Sequence, residues 1–315
     1  MENDKYVYIA QGAYTDNAIL AIDKLTGDLT EAVPGKRKGS RPAVISIGAH
    51  GNDLYLDVEG RGIVRYDGRS VESSPLIAQI DKGFMDSYKK IVVSPNGRYL
   101  TYAGSNRAFV FDLQDNNKLI KSTYDAFEDF AVTDKGDLYG VNNFRVLLLR
   151  NNGEVEGDEP IAAETSSLTN GKPCQLYLNP DDGYVYLVGG SKVQKTLATE
   201  FKWTECVSLK GNIKLEDAAI SRGGIVFGYI GRDNAGNRLA LLNIRSESPS
   251  LYKKLKTGIT YNRQPLEVEV VSNVFADSNS NFWMLDGFKG CYIIYNPRGI
   301  RGLKKVRGNL VTHQK

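Results

Sequence analysis

The supply of histidine limits the acid–base chemistry that this chain can perform. Among its 315 residues there are two histidines, His50 and His313. A serine or cysteine nucleophile needs an imidazole base held within hydrogen-bonding reach. His50 falls in a predicted hairpin turn and His313 in the C-terminal segment, so neither is expected beside a nucleophile on a rigid element. The sequence therefore argues against a Ser-His-Asp or Cys-His mechanism.

Two acidic pairs point to a different chemistry, the binding of a hard cation. Each pair enters an apolar, strand-like run, and carboxylate and amide oxygens are the ligands that Ca²⁺ prefers. If these strands converge on one axis, a calcium site results; no other cofactor is expected. The alternative is that the acids are solvated and accept hydrogen bonds from backbone amides. The predicted metal ligands are Glu128, Asp129, Asn142, Glu216 and Asp217.

Two clusters of cations offer a site for an anion. The formal net charge is +3, so these clusters are local features that the total conceals. They would favour RNA or an acidic protein, although cations on edge strands also serve to prevent pairing between sheets. The predicted anion-binding residues are Lys36, Arg37, Lys38, Arg41, Arg298, Arg301, Lys304, Lys305 and Arg307.

A repeated strand–turn–strand pattern organises the elements that must position these residues. The segments 127–141 and 215–229 align without a gap, and each reads as an apolar strand, a polar turn with glycine and a second strand. The same pattern recurs in four further segments, 43–56, 90–102, 175–187 and 274–285. The turns need a residue that tolerates positive φ. These turn residues are Gly51, Gly97, Gly136, Gly183, Gly224 and Asn279.

A third and a fourth strand follow each pair. The third strand ends in an apolar residue and a turn-former, as in Phe111-Asp112, and the fourth is exemplified by 29–33 and 118–121. Four antiparallel strands per roughly 45 residues predict a β-propeller blade. We therefore expect a single all-β domain over residues 1–315, a propeller of seven four-stranded blades. Blade 1 covers about 6–35 plus 309–313, and blades 2 to 7 start near 43, 90, 130, 175, 218 and 274.

The first repeat predicts how the ring closes. Residues 6–10 match a second strand, so blade 1 lacks its innermost strand, while residues 309–313 follow the fourth strand of the last blade. We expect this C-terminal strand to complete blade 1, because an open ring would leave sheet edges unpaired. Closure would also bring the two cationic clusters together in what we call the basic seam.

Parts of the sequence resemble known propeller families. Residues 6–10 (YVYIA) with 22–29 (IDKLTGDL) resemble the first blade of the YVTN/lactonase-like propellers. Residues 277–283 (DSNSNFW) with 290–297 (GCYIIYNP) look like a blade of the two-component-regulator or streptogramin-lyase propellers. Each resemblance covers about one blade. The lactonase-like and streptogramin-lyase families use histidine, from which this sequence departs, and the WD-repeat signature is missing because no Trp-Asp dipeptide occurs.

The expected fold places recognition residues on one face. In propellers the loops that enter the innermost strands, and those between the second and third strands, surround the channel, and loops on a rigid scaffold commonly carry function. We therefore expect a binding or scaffolding propeller whose channel face takes a protein or a small ligand. The alternative is a metal-dependent lactonase or esterase at the acidic rim, similar to gluconolactonase-like propellers in which a central calcium polarises an ester. The third interpretation is an anion- or RNA-associated subunit that uses the basic seam. The channel-face candidates are Glu59, Arg61, Arg107, Asn142, Arg145, Arg232 and Asp286.

The remaining sequence features concern the compartment. The three cysteines form no CxxC motif, which fits a reducing environment. Residues 1–5 show neither a basic n-region nor an apolar h-region of a signal peptide. No apolar run approaches the roughly 18 residues of a membrane helix. The expectation is a cytoplasmic protein without membrane association.

Overall fold

The computed structural model of this chain is almost entirely β. It describes residues 2–3, 5–10, 19–24, 29–33, 44–80, 90–104, 106–142, 144–157, 159–209, 214–233, 236–244, 260–261, 264–265, 271–278, 282–286 and 292–295. Among them the regular structure is β apart from one short helix, α1 (Thr165–Thr169). The chain divides into two compact units: unit 1 is Met1–Asn142 with Val146–Ala162, and unit 2 is Asn143–Arg145 with Ala163–Lys315.

Unit 1 consists of antiparallel sheets in which strands that follow one another in the chain are neighbours. Sheet 1 contains β1 (Tyr6–Ala10), β2 (Ile19–Asp23) and β3 (Leu29–Val33). Sheet 2 contains β4 (Val44–His50), β5 (Asp53–Val58), β6 (Gly62–Arg65) and β7 (Leu76–Ala78). Sheet 3 contains β8 (Lys90–Val93), β9 (Tyr99–Ala103), β10 (Ala108–Asp112) and β11 (Lys118–Thr123). Sheet 4 contains β12 (Asp129–Val132), β13 (Leu138–Val141), β14 (Arg145–Leu149) and β15 (Ile161–Glu164). Arg145 of β14 and residues 163–164 of β15 are assigned to unit 2.

Unit 2 repeats this plan after α1. Sheet 5 contains β16 (Pro173–Leu178), β17 (Tyr184–Gly189), β18 (Lys192–Leu197) and β19 (Thr204–Ser208). Sheet 6 contains β20 (Asp217–Ile220), β21 (Ile225–Asp233) and β22 (Gly236–Asn243). A short pairing of β23 (Thr260–Tyr261) with β24 (Gln264–Pro265) follows. Sheet 7 contains β25 (Val271–Ala276), β26 (Phe282–Asp286) and β27 (Tyr292–Tyr295).

Within each unit, the hydrophobic core lies between consecutive sheets. In unit 1, Ile63 of sheet 2 packs in one cluster with Leu100 of sheet 3. In unit 2, the rings of Phe227 in sheet 6 and Phe282 in sheet 7 stack with their centres 4.9 Å apart. Strand β13 is buried at every residue, and strands buried in this way read as near-continuous apolar runs.

A close approach to glycine explains why segments 127–141 and 215–229 align. A Cβ atom on Gly140 would lie 2.2 Å from the ring of Phe127, and one on Gly228 would lie 2.4 Å from the side chain of Leu215. These residues hold equivalent positions in the two segments. In both units, therefore, a bulky residue entering the first strand packs on a glycine of the second.

The tips of the first hairpins contact one another from sheet to sheet. In unit 1, Nε2 of His50 donates to the carbonyl oxygen of Pro95 at 2.8 Å, and the amide of Asn96 donates to Asp134 at 2.8 Å. In unit 2, Arg222 forms a two-pronged ion pair with Asp181 at 2.5 and 2.7 Å. The predicted tip glycines Gly51, Gly97, Gly136, Gly183 and Gly224 all have positive φ, between 54° and 84°.

The prediction of an all-β chain made of antiparallel sheets is confirmed. Seven sheets of three or four strands are present in the described part of the chain. The number of blades and the closure of the ring stay predictions, because residues 309–313 lie outside the described residues, as does Asn279. Within the described ranges no helix is long and apolar enough to cross a membrane.

Candidate binding cleft

Glu59 and Arg61 lie in the turn between β5 and β6. The guanidinium of Arg61 donates to the carbonyl oxygens of Val71 and, at 2.8 Å, Ser74. These contacts fasten the segment that leads into β7 onto the turn, so Arg61 holds a loop in place. Glu59 is exposed in the same turn.

Arg107 precedes β10 and contacts four other side chains. Its Nε donates to Oγ of Ser122 at 3.2 Å, and Nη2 donates to Oε1 of Glu156 at 2.8 Å. The guanidinium carbon lies 4.8 Å from the ring centre of Phe109 and 4.4 Å from that of Tyr124. Cation–π contacts of this length are attractive. The guanidinium is therefore held by two rings, a hydroxyl and a carboxylate together.

The strand register explains why these groups meet. Phe109 of β10 pairs with Ser122 of β11, and the same register continued by two residues places Arg107 opposite Tyr124. Directly opposed residues of an antiparallel pair share a face of the sheet, as do residues two apart along one strand. The side chains on this one face of sheet 3 are consequently those of Arg107, Phe109, Ser122 and Tyr124.

A cleft of about 540 Å³ lies beside this group, between β11 and the segment 150–157 that connects β14 to β15. The backbone amide of Ser122 donates to the carbonyl oxygen of Val155 at 2.7 Å, which places the segment along the outer edge of sheet 3. Tyr124 is 73% exposed. The cleft lies entirely within unit 1, and its lining residues are Lys121, Ser122, Thr123, Tyr124, Asp125, Leu149, Glu156 and Gly157.

The charged groups of the cleft differ in exposure. Lys121 is 1% exposed, and its ammonium group donates to Oδ1 of Asn152 at 3.1 Å. Oδ2 of Asp125 accepts a hydrogen bond of 2.8 Å from the hydroxyl of Thr123. The side chain of Glu156 is 55% exposed, whereas that of Arg107 is 24% exposed. The side chains of Lys121 and Arg107 are thus less exposed than that of Glu156, whose carboxylate faces solvent.

In unit 1 the predicted metal ligands are Glu128, Asp129 and Asn142. The buried carboxylate of Asp129 forms an ion pair with Lys90 and accepts the backbone amide of Phe130 at 2.9 Å. Glu128, which precedes Asp129, and Asn142, which follows β13, are both partly exposed. The amide contact of Asp129 is the one that the alternative interpretation of the acidic pairs describes, but the carboxylate is buried beside a cation and not solvated.

In unit 2 the corresponding residues are Glu216 and Asp217. Asp217 accepts the backbone amides of Ala218 at 2.8 Å and of Val274, in sheet 7, at 3.0 Å. Glu216 is exposed and lies beside Gly231. Nowhere in the described ranges do three His, Cys, Asp or Glu side chains lie close enough to hold a metal ion. The shared calcium site, which draws on both units, stays a prediction.

Cys206 is a free thiol in the described part of the chain. Burial raises the pKa of this thiol to about 11. The thiol therefore stays protonated at neutral pH, and a protonated thiol is a poor nucleophile.

The other predicted site residues are less informative. Arg145 is exposed at the start of β14. The backbones of Arg232 in β21 and Asp286 in β26 pair with Asn237 and Val271. All nine residues of the basic seam, at 36–38, 41, 298, 301, 304, 305 and 307, lie outside the described residues.

Sequence reasoning identified Arg107 but missed the residues that surround it. Phe109 was recognisable, since residues two apart on a strand share a face. Tyr124 required the register of β10 with β11, and Glu156 lies 49 residues from Arg107 in the chain. No local pattern connects positions that far apart.

Comparison with known proteins establishes the fold. No protein-family model matches this sequence, and no curated protein matches it. A structure of YCF48 bound to a D1 peptide is similar, with a TM-score of 0.59 and 13% identity over 93% of this chain and 89% of that chain. The extracellular domain of a candidate one-component system from B. thetaiotaomicron gives a TM-score of 0.49 and 15% identity over 90% of this chain and 39% of that chain. Together with the succession of antiparallel sheets, the likeness to YCF48 shows that this chain has a β-propeller fold.

Proposed function

We propose that this chain is a binding propeller and that it takes a peptide segment of a protein partner in the cleft between β11 and residues 150–157. The observation that carries the proposal is that Tyr124 is 73% exposed while its ring contacts the guanidinium of Arg107. Tyrosine and arginine dominate the binding energy of protein interfaces, because each offers a large contact area together with directed polar groups.

Two further features support this proposal. The cleft volume of about 540 Å³ is that of a site for a few side chains. YCF48 was solved with a peptide bound, so a chain of similar fold holds a peptide. The expectation of a reducing, cytoplasmic compartment, from the sparse cysteines, belongs to the same proposal.

A peptide-display selection on the immobilised protein tests the proposal. Peptides selected on the parent are measured against Tyr124→Ala, a change at an exposed side chain that leaves the core intact. We expect affinity to fall by about 30-fold, the effect of losing about 2 kcal/mol at a binding hot spot.

The matched control is Leu76→Ala, which removes an exposed apolar side chain from β7, away from the cleft. This variant should bind the selected peptides as the parent does. Peptides that bind parent and Tyr124→Ala equally would place the binding surface elsewhere and refute the proposed site.

A further inference from the structure

We infer that Arg107 binds a carboxylate of an acidic peptide and that Glu156 is an internal carboxylate which the peptide displaces. This inference rests on the proposed function, because it names the chemistry of the partner that the same cleft would bind.

The first step is the fixed position of the guanidinium. The rings of Phe109 and Tyr124 lie 4.8 and 4.4 Å from it, and Ser122 accepts from Nε at 3.2 Å. An arginine ordered before binding loses little conformational entropy when it binds, so more of the interaction energy appears as affinity. None of these three contacts involves Glu156, so they stay in place when Glu156 moves.

The second step is the unused hydrogen-bonding capacity of Arg107. A guanidinium carries five N–H donors in a planar fork. Its hydrogen bonds within the described ranges engage Nε with Ser122 and Nη2 with one oxygen of Glu156. A carboxylate that docks on two donors at once forms a stronger, charge-assisted pair. An incoming acid therefore has a better geometry available to it than the contact that Glu156 makes.

The third step is the weak hold on Glu156. Its side chain is 55% exposed, and residues 150–157 have no regular secondary structure. Exposed ion pairs contribute about 0–1 kcal/mol, since water screens them and both side chains lose freedom. Replacing this carboxylate by one from a peptide costs little.

The fourth step is the charge that remains in the cleft. With Glu156 displaced, the charged side chains that the structure describes in the cleft are Lys121 and Asp125, with Arg107 beside them. That balance is positive and complements an acidic ligand. A basic ligand would have to place its cation beside Arg107, whose positive charge would repel it.

The test uses the peptides selected on the parent protein, synthesised and measured on variants of the full chain. We expect the selected sequences to be enriched in Asp and Glu. Glu156→Gln, which keeps the shape and removes the charge, should tighten binding about threefold, within the range of an exposed pair. Arg107→Gln should weaken binding at least tenfold, and Arg107→Lys should also weaken it because lysine lacks the planar fork.

The control is a second exposed arginine–acid pair, Arg65 with Asp53, joined at 2.7 and 2.8 Å in sheet 2. Asp53→Asn should leave peptide affinity unchanged. Thermal melting confirms that each variant is folded. Selected peptides without acidic enrichment, or a Glu156→Gln variant that binds equally or more weakly, would overturn this inference. The proposed function would then still stand if Tyr124→Ala weakens binding as expected, and it would fall if Tyr124→Ala has no effect.

Discussion

The hydroxyl of Tyr102 donates a hydrogen bond of 2.8 Å to Oδ2 of Asp57, and both side chains are buried. Tyr102 lies in β9 of sheet 3 and Asp57 in β5 of sheet 2, so the bond joins consecutive sheets of unit 1. Burial, followed by the charge of Asp57, raises the pKa of Tyr102 far above its ordinary value. The phenol therefore stays protonated at neutral pH and can donate to the carboxylate.

Replacing Tyr102 with phenylalanine should destabilise the protein. The buried carboxylate of Asp57 would lose a donor, which costs about 1–3 kcal/mol in free energy of unfolding. The control is Tyr55→Phe, since Tyr55 is also buried but its hydroxyl has no hydrogen bond to a described residue. Urea unfolding followed by fluorescence measures both variants. Equal losses for the two would show that the bond across the sheets contributes nothing.

The stability of the protein should depend on pH through Asp112, which lies in sheet 3. The side-chain hydrogen bonds from Arg98, at 2.6 to 3.1 Å, hold the pKa of Asp112 below its ordinary value of 3.8. A carboxyl whose pKa is lowered by folding contributes stability above its unfolded pKa and loses that contribution as the pH falls through the folded pKa. Asp112→Asn should therefore be less stable than the parent at neutral pH, and the difference should shrink in acid below about pH 4.

The control for this pH dependence is Asp115→Asn, because Asp115 lies in the following turn with a side chain that is 58% exposed. Its difference from the parent should stay small at both pH values. Thermal melts in matched buffers measure the effect. A constant difference between the parent and Asp112→Asn across the range would contradict the assignment.

Gly97 should resist substitution more strongly than Gly51. Both have positive φ, 75° and 54°, which costs a residue with a Cβ about 1–2 kcal/mol. A Cβ on Gly97 would additionally lie 2.5 Å from the ring of His50, whereas nothing lies within 4 Å of one on Gly51. Gly97→Ala should consequently lose more stability than Gly51→Ala, and His50→Ala in the Gly97→Ala background should recover part of that excess. A double-mutant cycle without coupling would rule out the contact.

Ring closure predicts a role for the C-terminal residues. Deleting residues 308–315 should lower the melting temperature sharply, because blade 1 would lose its innermost strand and leave an unpaired edge. Sheet 1 has three strands among the described residues, which is what the prediction requires of residues 6–33. A truncated protein that melts like the parent would rule out this closure.

Calcium binding separates the proposed function from the predicted metal-dependent hydrolase. A binding propeller should show no stoichiometric calcium in a native mass spectrum, with or without prior treatment by a chelator. A bound ion that is lost in Glu128→Gln would favour the hydrolase and its acidic rim, because a cation site depends on its charged oxygen ligands.

The sequence by itself determined the strands, the hairpins and their repetition. The positive φ of Gly136 and Gly224, and the end of β10 at Asp112, follow from interactions within a few residues, and these are legible in the local order of apolar, polar and glycine residues. The repeat also indicated a propeller, because a four-stranded unit buries its faces only against further copies of itself.

The tertiary structure alone decided which side chains meet. The sequence presented Asp129 and Asp217 as equivalent metal ligands, yet one is paired with Lys90 and the other with a backbone amide of sheet 7. The sequence likewise identified Arg107 as a candidate binding residue but did not identify Glu156 as its partner. Such contacts depend on how each sheet is rotated against the next and on which loop crosses its edge. Partners about 40 to 60 residues apart share no local periodicity, so the packing of the sheets decides them.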